Sequence, residues 1–259
     1  MLKPLSWIVG VWALVPSFAA AQVPASTPVS VQEMFRLPDY AGPEQSRNGR
    51  YLAVRIPVNG RMNLAVIEIE TRTRTTLTDY GDFDVIEVDW VGNDRILYKL
   101  GRLNSPLGSG EFEGGGLFMI SRDGRERVRL SETVRDARRQ SQKTHRDFRF
   151  VRQWPGSDVE VMVSANLRDP DSYDLYRMNI TNGQTVLLTE NRPARTHRFV
   201  LDRERNARVA VASLKDSMTE VVYFRRTVNA PWEEMLRYER DRPGIVHPMH
   251  FEADNRTLV

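Results

Sequence analysis

The chain has 259 residues, of which 41% are apolar and 27% charged, with a formal net charge of +3 and no cysteine. Those proportions belong to an ordinary globular chain able to bury a core. They exclude a disulfide framework, a thiolate metal site and a strongly basic nucleic-acid-binding surface.

The N-terminus reads as a targeting segment. Lys3 precedes the apolar run Leu5–Val15, and Ala19-Ala20-Ala21 forms an A-x-A cleavage site before Gln22. The run is too short for a stable membrane anchor, which takes about 20 apolar residues. Residues 1–21 are therefore expected to be a signal peptide, and the mature chain periplasmic or secreted. Cleavage removes Lys3 and lowers the net charge from +3 to +2, so nucleic acid is not expected as a partner. Residues 22–37 read as a leader with a short helical turn at 31–37.

A repeated phrase follows. A polar turn introduces an alternating apolar strand at Asn48-Gly49, Gly92-Asn93, Gly156-Ser157, Arg205-Asn206 and Asp254-Asn255. The turn residues 48, 93, 157, 206 and 255 are spaced by 45, 64, 49 and 49. A period in the forties with turn chemistry and alternation predicts β-propeller blades. The fold class is all-β, an incomplete β-propeller of about four and a half four-stranded blades over 38–259. The blades fall at about 38–79, 84–131, 147–189 and 196–239, with the start of the next at 245–259. Asp123-Gly124 and Asn182-Gly183 supply hairpin turns between third and fourth strands. A helical turn is also possible at 231–238, overlapping the fourth strand of blade four. Loops at 101–114 and 133–146 account for the long second step.

Trp90, Phe118, Trp154, Tyr176, Phe199, Tyr223 and Phe251 are expected to fill the gaps between blades. Because the last phrase is broken off at Val259, the apolar face of blade four is expected to be partly wet. Its open edge should favour self-association, and truncation near residue 241 should improve solubility.

The phrase resembles the N-terminal propeller of prolyl oligopeptidase family serine peptidases, of the dipeptidyl and acylaminoacyl peptidase kind. It reads Asn48-Gly49-Arg50-Tyr51-Leu52, then Leu64-Ala65-Val66-Ile67-Glu68, closing on Leu77-Thr78. It recurs as Leu117–Ile120 with Asp123-Gly124 and Leu130-Ser131, and as Leu175–Met178 with Asn182-Gly183 and Leu188-Thr189. The resemblance implies a non-catalytic, substrate-gating segment that admits peptides to a following α/β-hydrolase domain. No Gly-x-Ser-x-Gly occurs in these 259 residues. Gly108-Ser109-Gly110 has the wrong spacing, so no catalytic residue is assigned and the chain alone should be inert. No cofactor is implied. The alternative is a non-enzymatic periplasmic binding scaffold.

In dipeptidyl peptidases paired glutamates grip the substrate's free ammonium. Glu233 and Glu234, after Trp232, are the substrate-binding candidates the resemblance implies, and two carboxylates suit an ammonium electrostatically. His247 and His250 lack an identifiable third ligand and are expected on opposite faces of a strand, so no metal site is assigned. Asp169-Pro170-Asp171-Ser172 reads as a turn, and the basic stretch 133–146 as a solvated connection.

Overall fold

The computed structural model describes residues 30–103, 114–141 and 144–259. The signal-peptide features and Gly108-Ser109-Gly110 lie outside the described residues. In the leader, the short helix α1 (Val31–Met34) is capped by Ser30, whose hydroxyl accepts from Glu33 N at 3.1 Å.

The propeller unit, Leu37–Val259, is built from four antiparallel four-stranded sheets, each in sequential order. Blade one contains β1 (Ala41–Gln45), β2 (Tyr51–Val58), β3 (Arg61–Glu68) and β4 (Arg74–Thr76). Blade two contains β5 (Asp84–Val91), β6 (Arg95–Gly101), β7 (Gly115–Ser121) and β8 (Arg127–Arg129). A single turn of helix, α2 (Val134–Arg139), leads to blade three. That blade contains β9 (Phe148–Gln153), β10 (Glu160–Asp169), β11 (Ser172–Asn179) and β12 (Thr185–Leu187). Blade four contains β13 (Thr196–Leu201), β14 (Ala207–Ser213), β15 (Thr219–Phe224) and β16 (Glu233–Glu239).

The repeated Leu-Thr/Ser has a structural task. A hydroxyl just beyond the fourth strand accepts from the backbone of the third, always 14 residues back. Leu64 N donates to Thr78 Oγ1 at 2.8 Å, Leu117 N to Ser131 Oγ at 2.8 Å and Leu175 N to Thr189 Oγ1 at 3.0 Å. These hydroxyls satisfy buried donors where the short fourth strand no longer reaches. The residue before each leucine varies. It is Asn63 in blade one and Asp174 in blade three, and each accepts from the closing threonine, at 2.8 and 3.0 Å. In blade two it is Gly116, at φ +74°.

The polar turns lock blade to blade. Asn48 N donates to Asn93 Oδ1 at 2.8 Å, Gly92 N to Gln153 Oε1 at 3.0 Å and Arg203 N to Asn255 Oδ1 at 2.8 Å. At the opposite end, charged groups bridge blades one to two, two to three and three to four. Arg61 pairs with Asp84 at 3.3 Å, Lys99 with Asp147 at 2.9 Å and Arg195 with Asp171 at 3.0 Å. Between these two rows lie apolar interfaces. Leu64, Val66 and Leu77 meet Val85, Ile96, Tyr98 and Ile120 between blades one and two. Leu97, Leu117 and Met119 meet Val161, Val163, Tyr176 and Met178 between blades two and three.

The structure departs from the sequence expectations at four places. The connection 133–146 contains α2, because Thr133 and Asp136 form a reciprocal capping box. Residues 233–239 are strand and not helical turn, because their backbone completes the ladder to β15. The segment 245–251 forms no regular strand; it is extended and joined to the chain end by the Phe251↔Leu258 bridge. The face of blade four is not left wet. Phe251 is 2% exposed and packs with Val200, Val209, Val211, Val222 and Tyr238. Of the seven aromatic residues expected between blades, Tyr176 and Phe251 are buried and the other five are partly exposed.

Candidate functional site at the seam of blades three and four

Four-stranded propeller blades are arranged around a central axis, and here the first strands of blades one and two are joined directly. The indole Nε1 of Trp90 on β5 donates to Glu44 O on β1 at 2.8 Å. The sequences of these strands divide by charge. The first two, β1 and β5, carry Glu44, Asp84, Glu87 and Asp89 and no base. The next two, β9 and β13, carry Arg149, Arg152, His197 and Arg198 and no acid. Burial, with Glu87 and Glu44 nearby, pushes the Asp89 carboxyl up to about 6.

The seam between blades three and four is flanked by open space. Its buried core consists of Met162, Leu175 and Ala207, and cavities lie on both sides of it. One, of about 360 Å3, is lined by Trp154, Leu188, Glu204 and Arg205 at the turn end. The other, of about 390 Å3, opens between β9 and β13 and is bordered by Arg149, Phe150, His197, Arg198 and Phe199. Leu175 borders both.

Polar side chains are fixed around the second cavity. Asp147 accepts from Lys99 Nζ at 2.9 Å, from Arg149 Nε at 2.8 Å and from the Tyr173 hydroxyl at 3.1 Å. Burial raises the Asp147 carboxyl, and Lys99 and Arg149 more than reverse this, leaving it below the usual carboxylate range. Burial beside Asp147 pushes the Tyr173 phenol up to about 12. His197 Nε2 lies 3.2 Å from Glu220 Oε1, and Tyr238 donates its hydroxyl to Glu220. Burial lowers the His197 pKa against the opposing pull of Glu220, which favours the neutral imidazole at pH 7.

The sequence candidates lie on the outermost strand of blade four. Glu233 and Glu234 are both exposed, and successive residues on a strand face opposite sides of its sheet. Glu234 accepts two hydrogen bonds from Arg237, at 3.0 and 2.8 Å, and this pairing holds its carboxyl below the usual range. Trp232 instead turns inward to the seam, under the Arg225 guanidinium at 4.3 Å. His247 and His250 are exposed. No group of three or more His, Cys, Asp or Glu among the described residues is placed to hold a metal. The hairpin turn Asp169–Ser172 is held by its own side chain, with Asp171 N donating to Asp169 Oδ1 at 3.0 Å.

Lys99, Asp147, Arg149 and His197 were not visible as a group in the sequence. They are spread over about a hundred positions, although the switch from acidic to basic first strands can be read directly from it.

No protein-family model and no curated protein sequence matches the chain. Among solved structures, it is similar to TolB from Acinetobacter baumannii, with 12% identity and a TM-score of 0.44, over 75% of this chain and 43% of that one. It is also similar to Pyrococcus horikoshii acylaminoacyl peptidase, with 13% identity and a TM-score of 0.44, over 76% of this chain and 32% of that one. A Mycobacterium tuberculosis puromycin-hydrolyzing peptidase shares 13% identity at a TM-score of 0.40, over 80% of this chain and 30% of that one. The chain thus spans less than half the length of each. These are likenesses of blade architecture only. No helix among the described residues is long and apolar enough to cross a membrane.

Proposed function

We propose that this propeller is the non-catalytic, substrate-gating segment of an exported serine peptidase of the prolyl oligopeptidase type. The observation that carries the reading is the opening of about 390 Å3 between the first strands β9 and β13. It offers fixed polar groups beside apolar walls, the composition of a small-molecule or short-peptide site. The resemblance of the blade phrase supports the same reading. Within it, of the candidate pair Glu233 and Glu234, one carboxylate meets the ammonium end of a peptide. Glu233 is the freer of the two, because Arg237 occupies Glu234.

The reading frame beyond the codon for Val259 is the test. A continuing frame that encodes Gly-x-Ser-x-Gly in an α/β-hydrolase domain supports the proposal. A stop with no hydrolase frame nearby turns the reading to a binding scaffold. Purified 22–259 should neither cleave acyl-peptide chromogenic substrates nor react with a fluorophosphonate. Stoichiometric labelling of one of its serines would overturn the non-catalytic assignment. Export predicts Gln22 as the N-terminus of periplasmic material by mass spectrometry, and retention of Met1 in membranes would refute it.

A further inference from the structure

We infer that the inner seam cavity is a binding site for an organic carboxylate carried on an apolar or aromatic body. The cavity walls are Phe150, Leu175 and Phe199 with the cations Arg149 and Arg198 and the imidazole of His197, and no carboxylate lines it. Two acids beside the lining residues, Asp147 at Arg149 and Glu220 at His197, are already engaged. Asp147 serves both Lys99 and Arg149, at 2.9 and 2.8 Å, so one carboxylate faces two cations and a positive charge remains. Glu220 accepts from the Tyr238 hydroxyl and lies 3.8 Å from Arg240 Nε.

Both guanidiniums keep donors to offer. Arg149 uses Nε on Asp147 and Nη2 on the Tyr173 hydroxyl, at 2.8 and 2.7 Å. Its stacking on the Tyr173 ring at 4.2 Å fixes the plane of the fork. Arg198 gives Nη1 to Pro248 O at 3.2 Å and has no carboxylate partner among the described residues. A guanidinium has five N–H donors and pairs with a carboxylate in a two-point fork. Placed among aromatic and aliphatic walls, such forks select an anion with an apolar body over a bare inorganic ion. Of the possible carboxylates, the C-terminus of a short peptide ending in an apolar residue has this chemistry. The inference itself rests on the cavity and holds whether or not a hydrolase domain follows.

The probes are N-acetyl-phenylalanine, its amide, acetate and inorganic phosphate, titrated into 22–259 by calorimetry and by NMR shift mapping. The acid should bind in the cavity, shifting the amide signals of Phe150 and Phe199. The amide, acetate and phosphate should each bind at least tenfold more weakly. Arg198→Gln and Arg149→Gln should each weaken the acid at least tenfold. Ser164 also lines the cavity, and Ser164→Leu, which adds bulk there while leaving both arginines, should weaken the acid and change nothing for phosphate. Equal affinity for acid and amide, shifts confined to other surfaces, or no binding of the acid at millimolar concentration would each overturn the assignment. So would undiminished binding by both arginine variants, once their unchanged melting curves show them folded.

Discussion

The chain segment beyond blade four is tied into the fold by one side chain above all, and removing that side chain should be costly. Phe251 is 2% exposed among Val200, Val209, Val211, Val222 and Tyr238. Arg208 lies 5.4 Å from its ring centroid. Truncating a fully buried phenylalanine to alanine costs about 3–5 kcal/mol through lost transfer energy and the cavity left behind. For a domain of this size each kcal/mol shifts the melting temperature by about 2–4 °C, so Phe251→Ala should melt roughly 6–20 °C lower. Truncation after Asp241 should do at least as much. It uncovers the same valines and removes the Arg203 N bond to Asn255 at 2.8 Å and the Arg198 bond to Pro248 O at 3.2 Å. Circular-dichroism melts of wild type, Phe251→Leu, Phe251→Ala and the truncated chain decide the matter, with the leucine variant close to wild type. An unchanged melt for Phe251→Ala, or a more soluble and more stable truncated chain, would show that blade four stands without this segment.

Asp89 is raised from 3.8 to about 6 by burial first and by Glu87 and Glu44 next. The folded state therefore holds this proton more tightly than the unfolded chain. The corresponding stability is present below pH 4 and is lost as pH rises through 6. After discounting for its partial exposure, ionisation costs about 1–2 kcal/mol. Asp89→Asn should accordingly melt higher than wild type at pH 8 and equally at pH 4; a lower melt at pH 8 would mean that a partner holds the carboxylate. Asp174 has no exposed surface and receives Arg168 at 2.7 Å and Arg192 at 2.9 Å. Asp174→Ala should destabilise by about 3–5 kcal/mol in urea titration, and a loss too small to measure would show that the arginines find water. Thr189→Val removes the acceptor for Leu175 N and should cost about 1–3 kcal/mol, again by urea midpoint. Glu233→Gln should leave the melt unchanged and weaken binding of free-amine peptides in calorimetry. Unchanged peptide affinity would remove Glu233 from the proposed contact.

The turn phrases made the blades legible. Asn48-Gly49, Asp123-Gly124 and Asn182-Gly183 adopt backbone turns that only a few residue types accept, so they announce themselves in one dimension. The closing Thr78, Ser131 and Thr189 were visible as a recurring residue type, but their hydrogen-bonding task was not. That task needs the third strand to lie 14 residues back in space as well as in sequence. The α2 cap was there to be read in Thr133 and Asp136, but the density of arginines around it suggested a solvated loop. The seam was hidden for a different reason. A cavity between two blades depends on how residues such as Met162, Leu175 and Ala207 fill their shared volume. No local pattern encodes a gap. Glu233 and Glu234 stood out because acidic neighbours are conspicuous in a string, whereas a strand turns such neighbours apart.

The division of the first strands into an acidic pair and a basic pair has an electrical consequence. Glu44, Glu87 and Asp89 on β1 and β5 adjoin a sector bearing Arg149, Arg152 and Arg198 on β9 and β13. The inner strands thus carry a separation of charge, negative on β1 and β5 and positive on β9 and β13, in a solvent that screens charge over about 8 Å at physiological salt. A uniformly charged solute gains on one sector what it loses on the other. A solute with opposite charges at its two ends experiences a torque beside these strands, which sorts its ends between the two sectors. Raising the salt concentration would loosen that alignment.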